Sequence, residues 1–373
     1  MQLIGYAYPW DLTEDPRRRD RVLGLGLHAV AVAGAYHAVR AATPSHPRHR
    51  TKDARHAAFY RPVRRDRFGV LVPAEPSWTE QRDAFGEAVR TLHENGTRAL
   101  AWTVLSHSSE IGRRHPDHTV VNAFGERYPW ALCTSSRDVV ELAAALVREL
   151  GEGLPLDGYV LEAVGHLGFT HGGLHDKTMA YSALEATLLS ICFAPACREL
   201  RGGDDEELRT AVRAALDPAT ARPAADLAPT DLTGALGPEL EGRLAAARAV
   251  AVGRTCAALA EVVHGEVWAH GDPDVHATGA FTAATPELQR LADGHVVAAA
   301  WGSLESIGPA VAALSSQPHL GAYLTVLEPG SPPLAEQVTR AAEAGASTVH
   351  LYHLGLCTDR HLDEIAEVAQ GLS

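Results

Sequence analysis

The sequence predicts an eight-stranded (β/α) barrel. Three observations carry that expectation. Eight short apolar runs are spread over the 373 residues, each bounded by polar turns. Near-continuous apolar runs mark strands buried on both faces of a parallel sheet. Amphipathic helical patterns stand between many of the runs, and that alternation indicates crossover connections. No Gly-x-Gly-x-x-Gly follows the first run, which counts against an open doubly wound sheet, the competing arrangement.

In chain order the runs are residues 3–8, 29–33, 99–104, 158–162, 266–270, 296–300, 321–327 and 348–352. A helix over 16–25 is expected to start at Asp15 as N-cap, with Pro16 in its first turn. The helical pattern over 79–95 stops at Gly96, the one over 136–150 near Gly151, and the one over 332–344 at Gly345, because glycine accepts the left-handed conformation that ends a helix. A last helix, 360–372, closes the pattern. Three connections are far longer than the usual ~2–6 residues: 37–78, 105–135 and 163–264. The third is expected to be largely helical, with a Pro-, Ala- and Asp-rich linker over 217–236. The domain reading is therefore one barrel over 1–373, with 163–264 inserted in it. All three connections follow strands, so they belong to the C-terminal mouth, where barrels carry their sites.

Composition narrows the partners. Lys and Arg number 33 against 46 Asp and Glu, a net charge of −13. That charge argues against nucleic acid or an anionic membrane surface. No apolar stretch approaches the ~18 residues of a membrane helix, and the first residues read as strand rather than as a signal peptide. The expected compartment is the cytoplasm. The five cysteines are scattered and odd in number, unlike a disulfide framework. Cys192 and Cys197 stand five apart with no matching second pair, so they read as buried thiols rather than a zinc knuckle. No cofactor and no metal are expected. A small-molecule or oligosaccharide substrate is, and a homo-oligomer is allowed for.

The 20 histidines invite a metal or acid–base reading, and the chemistry at each strand end decides where such groups could act. Trp10 and Asp11 follow the first strand; Tyr36, His37 and Arg40 the second; Ser106 and His107 the third. Glu162 ends the fourth, with His166 beyond it. His270 and Asp272 end the fifth, Trp301, Ser303 and Glu305 follow the sixth, Glu328 the seventh, and Tyr352 and His353 close the eighth. Rings that stack on sugar C–H faces, with carboxylates and imidazoles for hydroxyls, suit a polyhydroxylated ligand. Trp10, Asp11, Tyr36, His37, Arg40, His107, His166, His270, Trp301 and Tyr352 are therefore the expected substrate contacts.

Glu162 is the sharpest single residue, an ionisable group ending an apolar strand. Glycoside hydrolysis needs two carboxyls flanking one bond. The expected catalytic set is Glu162 with Glu328, then Asp272; Glu305 and Asp11 are lesser candidates. The stretch His166–His171–His175 lies in a Gly-rich loop without the helical spacing of zinc hydrolases. The basic run around His46, Arg48, His49, Arg50 and His56 reads as a solvated loop or an anion contact.

Ordered motifs follow the third strand: Arg114-His115-Pro116-Asp117, Asn122-Ala123-Phe124-Gly125-Glu126, Ala131-Leu132-Cys133, and then Asp157-Gly158-Tyr159-Val160-Leu161-Glu162. With Tyr352 and Gly355 near the C-terminus, the pattern resembles poorly characterised glycoside-hydrolase-like TIM-barrel proteins related to α-amylase-type and α-galactosidase-type barrels. The resemblance implies a carbohydrate-active enzyme, a glycosidase, with its strand-four acid at Glu162. It leaves open whether that acid is the nucleophile or the acid/base. Two alternatives stand beside it: a metal-dependent sugar isomerase or hydrolase using Glu162 and His166, and a non-catalytic sugar-binding barrel.

Overall fold

A computed structural model describes residues 1–170, 172, 177–178, 180–217, 232–327 and 330–372. The eight runs form β1 (Gln2–Ala7), β2 (Ala29–Tyr36), β3 (Arg98–Val104), β4 (Gly158–Glu162), β5 (Glu266–Asp272), β6 (His295–Ala299), β7 (His319–Thr325) and β8 (Thr348–Tyr352). Each pairs in parallel with the next, and β1 pairs with both β2 and β8, so the sheet closes into a TIM barrel. Closure leaves no free edge among these eight strands.

Local chemistry explains where the elements differ from expectation. β2 continues to Tyr36 because a register shift between Ala33 and Ala35, at Gly34, carries the strand past the expected end. The helix expected over 79–95 spans only Ala84–Glu94, because the Asp83 side chain accepts the Gly86 N–H and sets the start there. Asp15 caps helix Pro16–Leu23 through Arg18 N, as its position predicts.

The three long connections are structured. After β2, strands Val39–Ala42 and Thr51–Ala54 form a hairpin, and Ala58–Phe59 pairs antiparallel with the end of β2. The basic run there is not uniformly solvated. His46 and Lys52 are buried, and Lys52 Nζ lies 2.6 Å from Glu14 Oε2. Burying that cation is tolerable because the carboxylate is buried beside it. After β3, helix Ser109–Arg114 precedes the hairpin Thr119–Val121 and Arg127–Leu132. Asn122 builds the hairpin turn: its Oδ1 accepts from Phe124 N and Glu126 N. After β4 come helices Ala183–Leu189, Pro195–Leu200, Glu206–Ala215, Leu232–Leu236 and Pro238–Ala260. They bury their own apolar cluster, including Leu188, Phe193, Val212 and Leu244. Of the expected linker, 218–231 lies outside the described residues, while Leu232–Leu236 is helical.

Gly158 starts β4 where the backbone of β5 passes closest. A Cβ placed there would stand 1.9 Å from the Glu266 carbonyl oxygen. The obstacle is backbone, which cannot rotate away. Gly158→Ala is expected to lower unfolding stability by about 1–3 kcal/mol or more. Denaturant unfolding tests this, and an unchanged midpoint would contradict the β4–β5 register.

Candidate active site

Strand alternation sends every second side chain into the barrel. Here many of those inward positions hold rings instead of aliphatic groups. Tyr6 of β1 meets Trp102 of β3 edge-on at 4.9 Å and Tyr323 of β7 at 5.1 Å between centroids. Edge-to-face contact of this kind places the positive rim of one ring on the negative face of another. Below them Trp268 and His350 pack at 4.7 Å. Toward the mouth, Tyr36 abuts Trp102 at 4.5 Å, Tyr8 abuts Tyr36 at 5.3 Å, and Tyr352 lies 5.7 Å from Tyr323.

Glu162 enters this ring-filled interior from the last position of β4, opposite Val104 of β3. It is buried. Trp102 Nε1 donates to its Oε2 at 2.7 Å. Burial raises its pKa to about 7, with the indole hydrogen bond pulling the other way. Burial holds the phenols of Tyr6, Tyr36, Tyr323 and Tyr352 above their ordinary range, and the charge of Glu162 adds a smaller push in the same direction. His270 Nδ1 lies 3.8 Å from Glu162 Oε2, but burial lowers the imidazole to about 3. The pair is therefore a neutral imidazole facing a carboxyl, not an ion pair.

Behind His270 runs a buried hydrogen-bond chain. The Tyr6 hydroxyl lies 3.1 Å from His270 Nε2 and 2.9 Å from His350 Nδ1. His270 also stacks on Phe281 at 4.6 Å and 11°. At the rim, Trp301 is 42% exposed and packs on Tyr323 at 5.0 Å and on Tyr352 at 6.5 Å. It thus rests on two of the phenols that feel Glu162.

The structure gathers Glu162, His270, Tyr36, Trp301 and Tyr352 from the expected set. His37 and His107 stack on one another at 4.6 Å, with His37 also on Tyr36, at one side of this group. Other expected contacts fall elsewhere. Trp10 is fully buried, stacked on Tyr8 at 4.4 Å, and offers no face to a ligand. Asp11 is also buried: its Oδ2 accepts Tyr8 N at 2.8 Å inside the short helix Pro9–Thr13, and burial lifts its pKa to about 7. Arg40 is exposed on the hairpin after β2, opposite Asp53. His166 stands beside Thr134, 3.3 Å from Oγ1. Asp272, by contrast, stands two residues past His270 on the same face of β5; it is half-buried, its carboxylate accepts Asp274 N at 2.8 Å, and burial raises its pKa. Glu328 lies outside the described residues, as do His171 and His175. Among the described residues, Glu162 belongs to no group of three or more metal-donor side chains.

Tyr6, Tyr8, Trp102, Phe281, Tyr323 and His350 were not singled out from sequence. The signal was there for three of them, Tyr6, Tyr8 and His350, as rings repeat at period two: Tyr6 and Tyr8, Trp268 and His270, His350 and Tyr352.

Solved structures of other proteins share this barrel fold. The PgaB (BpsB) glycoside hydrolase domain from Bordetella bronchiseptica aligns over 99% of both chains, with a TM-score of 0.57 and 14% identity. The α-L-fucosidase isoenzyme 2 from Paenibacillus thiaminolyticus aligns over 100% of this chain and 49% of its own, with a TM-score of 0.56 and 11% identity. A β-galactosidase from the psychrophilic Marinomonas ef1 aligns over 100% of this chain and 59% of its own, with a TM-score of 0.58 and 11% identity. The chain thus spans about half the length of the last two. Likeness at these identities establishes the shared fold. No protein-family model matches the sequence. No curated protein sequence matches it either.

The raised Glu162 pKa has a consequence for stability. Its folded value is about 7 against an ordinary 4.5. Across that window the folded chain keeps a proton that the unfolded chain has released, so stability falls as pH rises through it. Glu162→Gln removes this loss. The stability of E162Q relative to wild type is expected to rise between pH 5 and pH 8 by up to about 3 kcal/mol. Urea unfolding at both pH values measures it, and a pH-independent difference would refute the assignment.

Proposed function

We propose that this chain is a glycoside hydrolase in which Glu162 is the general acid. The observation that carries the reading is the carboxyl itself, buried at the catalytic end of β4 and held protonated near neutrality by burial. A proton donor with that pKa can protonate a glycosidic oxygen at neutral pH as the C–O bond breaks. Trp301 offers an exposed indole face above Tyr323 and Tyr352, suited to stacking on a sugar ring. His270, Tyr36 and Tyr352 supply polar groups for hydroxyls beside it. The second carboxyl of the pair is assigned to Glu328, which follows β7 in the sequence, and next to Asp272 at the end of β5, to attack or to activate water. The structural neighbours with glycosidase names support a carbohydrate as substrate.

No helix among the described residues is long and apolar enough to cross a membrane. The five cysteines are unbridged, which fits a reducing compartment, and we assign the chain to the cytoplasm.

A general acid has a distinctive signature. On glycosides with poor leaving groups, Glu162→Gln is expected to lower kcat by about 100-fold or more. On nitrophenyl glycosides, whose leaving group departs without a proton, the first bond cleavage should be far less affected. A panel of alkyl and nitrophenyl glycosides, run on wild type and E162Q, reads this out. Equal turnover by both proteins on an alkyl glycoside would sink the role of Glu162. The absence of hydrolysis by wild type across the panel would count against the activity.

A further inference from the structure

A second cluster of reactive side chains forms where two mouth connections meet. Cys133 follows the hairpin strand Arg127–Leu132, while Cys192 and Cys197 come from the connection after β4. Cys133 Sγ lies 3.4 Å from Cys197 Sγ and 3.8 Å from Cys192 Sγ. All three sulfurs fall within 4.8 Å of one another, and all three residues are buried. This revises the reading of Cys192 and Cys197 as an isolated pair.

Two further observations point to a ligand. His166 is buried, with its Nδ1 held near Thr134 Oγ1 and its Nε2 without a hydrogen-bond partner. It lines the same small cavity as Cys192 and Cys197. The wall of that cavity also holds Arg248. This buried guanidinium donates to the carbonyl oxygens of His276 and Ser190, yet among the described residues it makes no ion pair. Asp274 supplies some of the negative charge that a buried guanidinium needs, and further negative charge at this cavity would steady it more. Three thiolates on a divalent ion carry one net negative charge, which Arg248 would offset.

We propose that Cys133, Cys192 and Cys197 bind a thiophilic divalent metal ion of the zinc type, with His166 Nε2 as fourth donor. Binding releases three thiol protons, and no redox change is involved. Four nitrogen and sulfur donors make a closed structural site. The ion would staple the connection after β3 to the one after β4 and so hold the rim of the mouth. The inference does not depend on the glycosidase reading, because Glu162 takes no part in it.

The test uses the full chain, purified after growth with added zinc or reconstituted with zinc chloride. Elemental analysis is expected to find about one zinc per chain, because structural sites bind tightly. A strong chelator should release the ion, expose three thiols to a colorimetric reagent and lower the Tm. Cobalt exchange should give an intense near-ultraviolet thiolate-to-metal band. Cys197→Ser should lose the metal, Cys256→Ser should retain it, and His166→Ala should weaken binding by about 10–100-fold. A reconstituted wild-type chain holding less than about a tenth of an equivalent, with thiols equally reactive before and after chelation, overturns the proposal. So does full occupancy in Cys197→Ser. The wild-type measurement decides even if a variant fails to fold.

Discussion

The hydrogen bond from Trp102 Nε1 to Glu162 Oε2 is the contact on which the barrel mouth turns. It brings a polar donor to a carboxyl that burial would otherwise make costlier to ionise. Around that contact the strands deliver rings, which exclude water and still give edges and hydroxyls to pack against. Tyr6, Tyr36, Tyr323 and Tyr352 all respond to the charge of Glu162. The site therefore stores its chemistry as an unfavourable burial, supported by a large aromatic core.

The eight strands were legible because each is a short apolar run between polar turns, a pattern a barrel imposes along the chain. Glu162 stood out for the same reason, as a charge that the run Gly158–Glu162 could not otherwise accommodate. Residues whose surroundings come from distant sequence were harder to place. Trp10 follows β1 and looked like a rim residue, but a short helix turns it under Tyr8. His46 sits in a basic run that looked solvated, yet it is buried beside Glu14, 32 positions earlier in the chain. Cys133 meets Cys192 and Cys197 across 59 and 64 residues, so spacing within 192–197 could not reveal the third sulfur.

The long connections repeat one strategy. Each extends the chain far beyond what strand joining needs and then ties it back with buried polar groups. Lys52 and Glu14 anchor the first, the Asn122 turn shapes the second, and Arg248 pins the helix Pro238–Ala260 to the loop at His276 in the third. Such ties hold a rim in place around a site more specifically than apolar contact alone, because donors and acceptors must match in position.

The Tyr6 hydroxyl sits between two imidazoles but owns a single proton. If it donates to His350 Nδ1, it must accept from His270 Nε2–H, which leaves His270 Nδ1 bare toward Glu162. If it donates to His270, that nitrogen face instead carries a hydrogen, and the bare nitrogen moves to the far end of the chain at His350 Nε2. The two tautomers are thus locked in opposition. The barrel axis holds a polar wire with one sense at a time, and its reversal switches the group facing the carboxyl from acceptor to donor without moving a heavy atom.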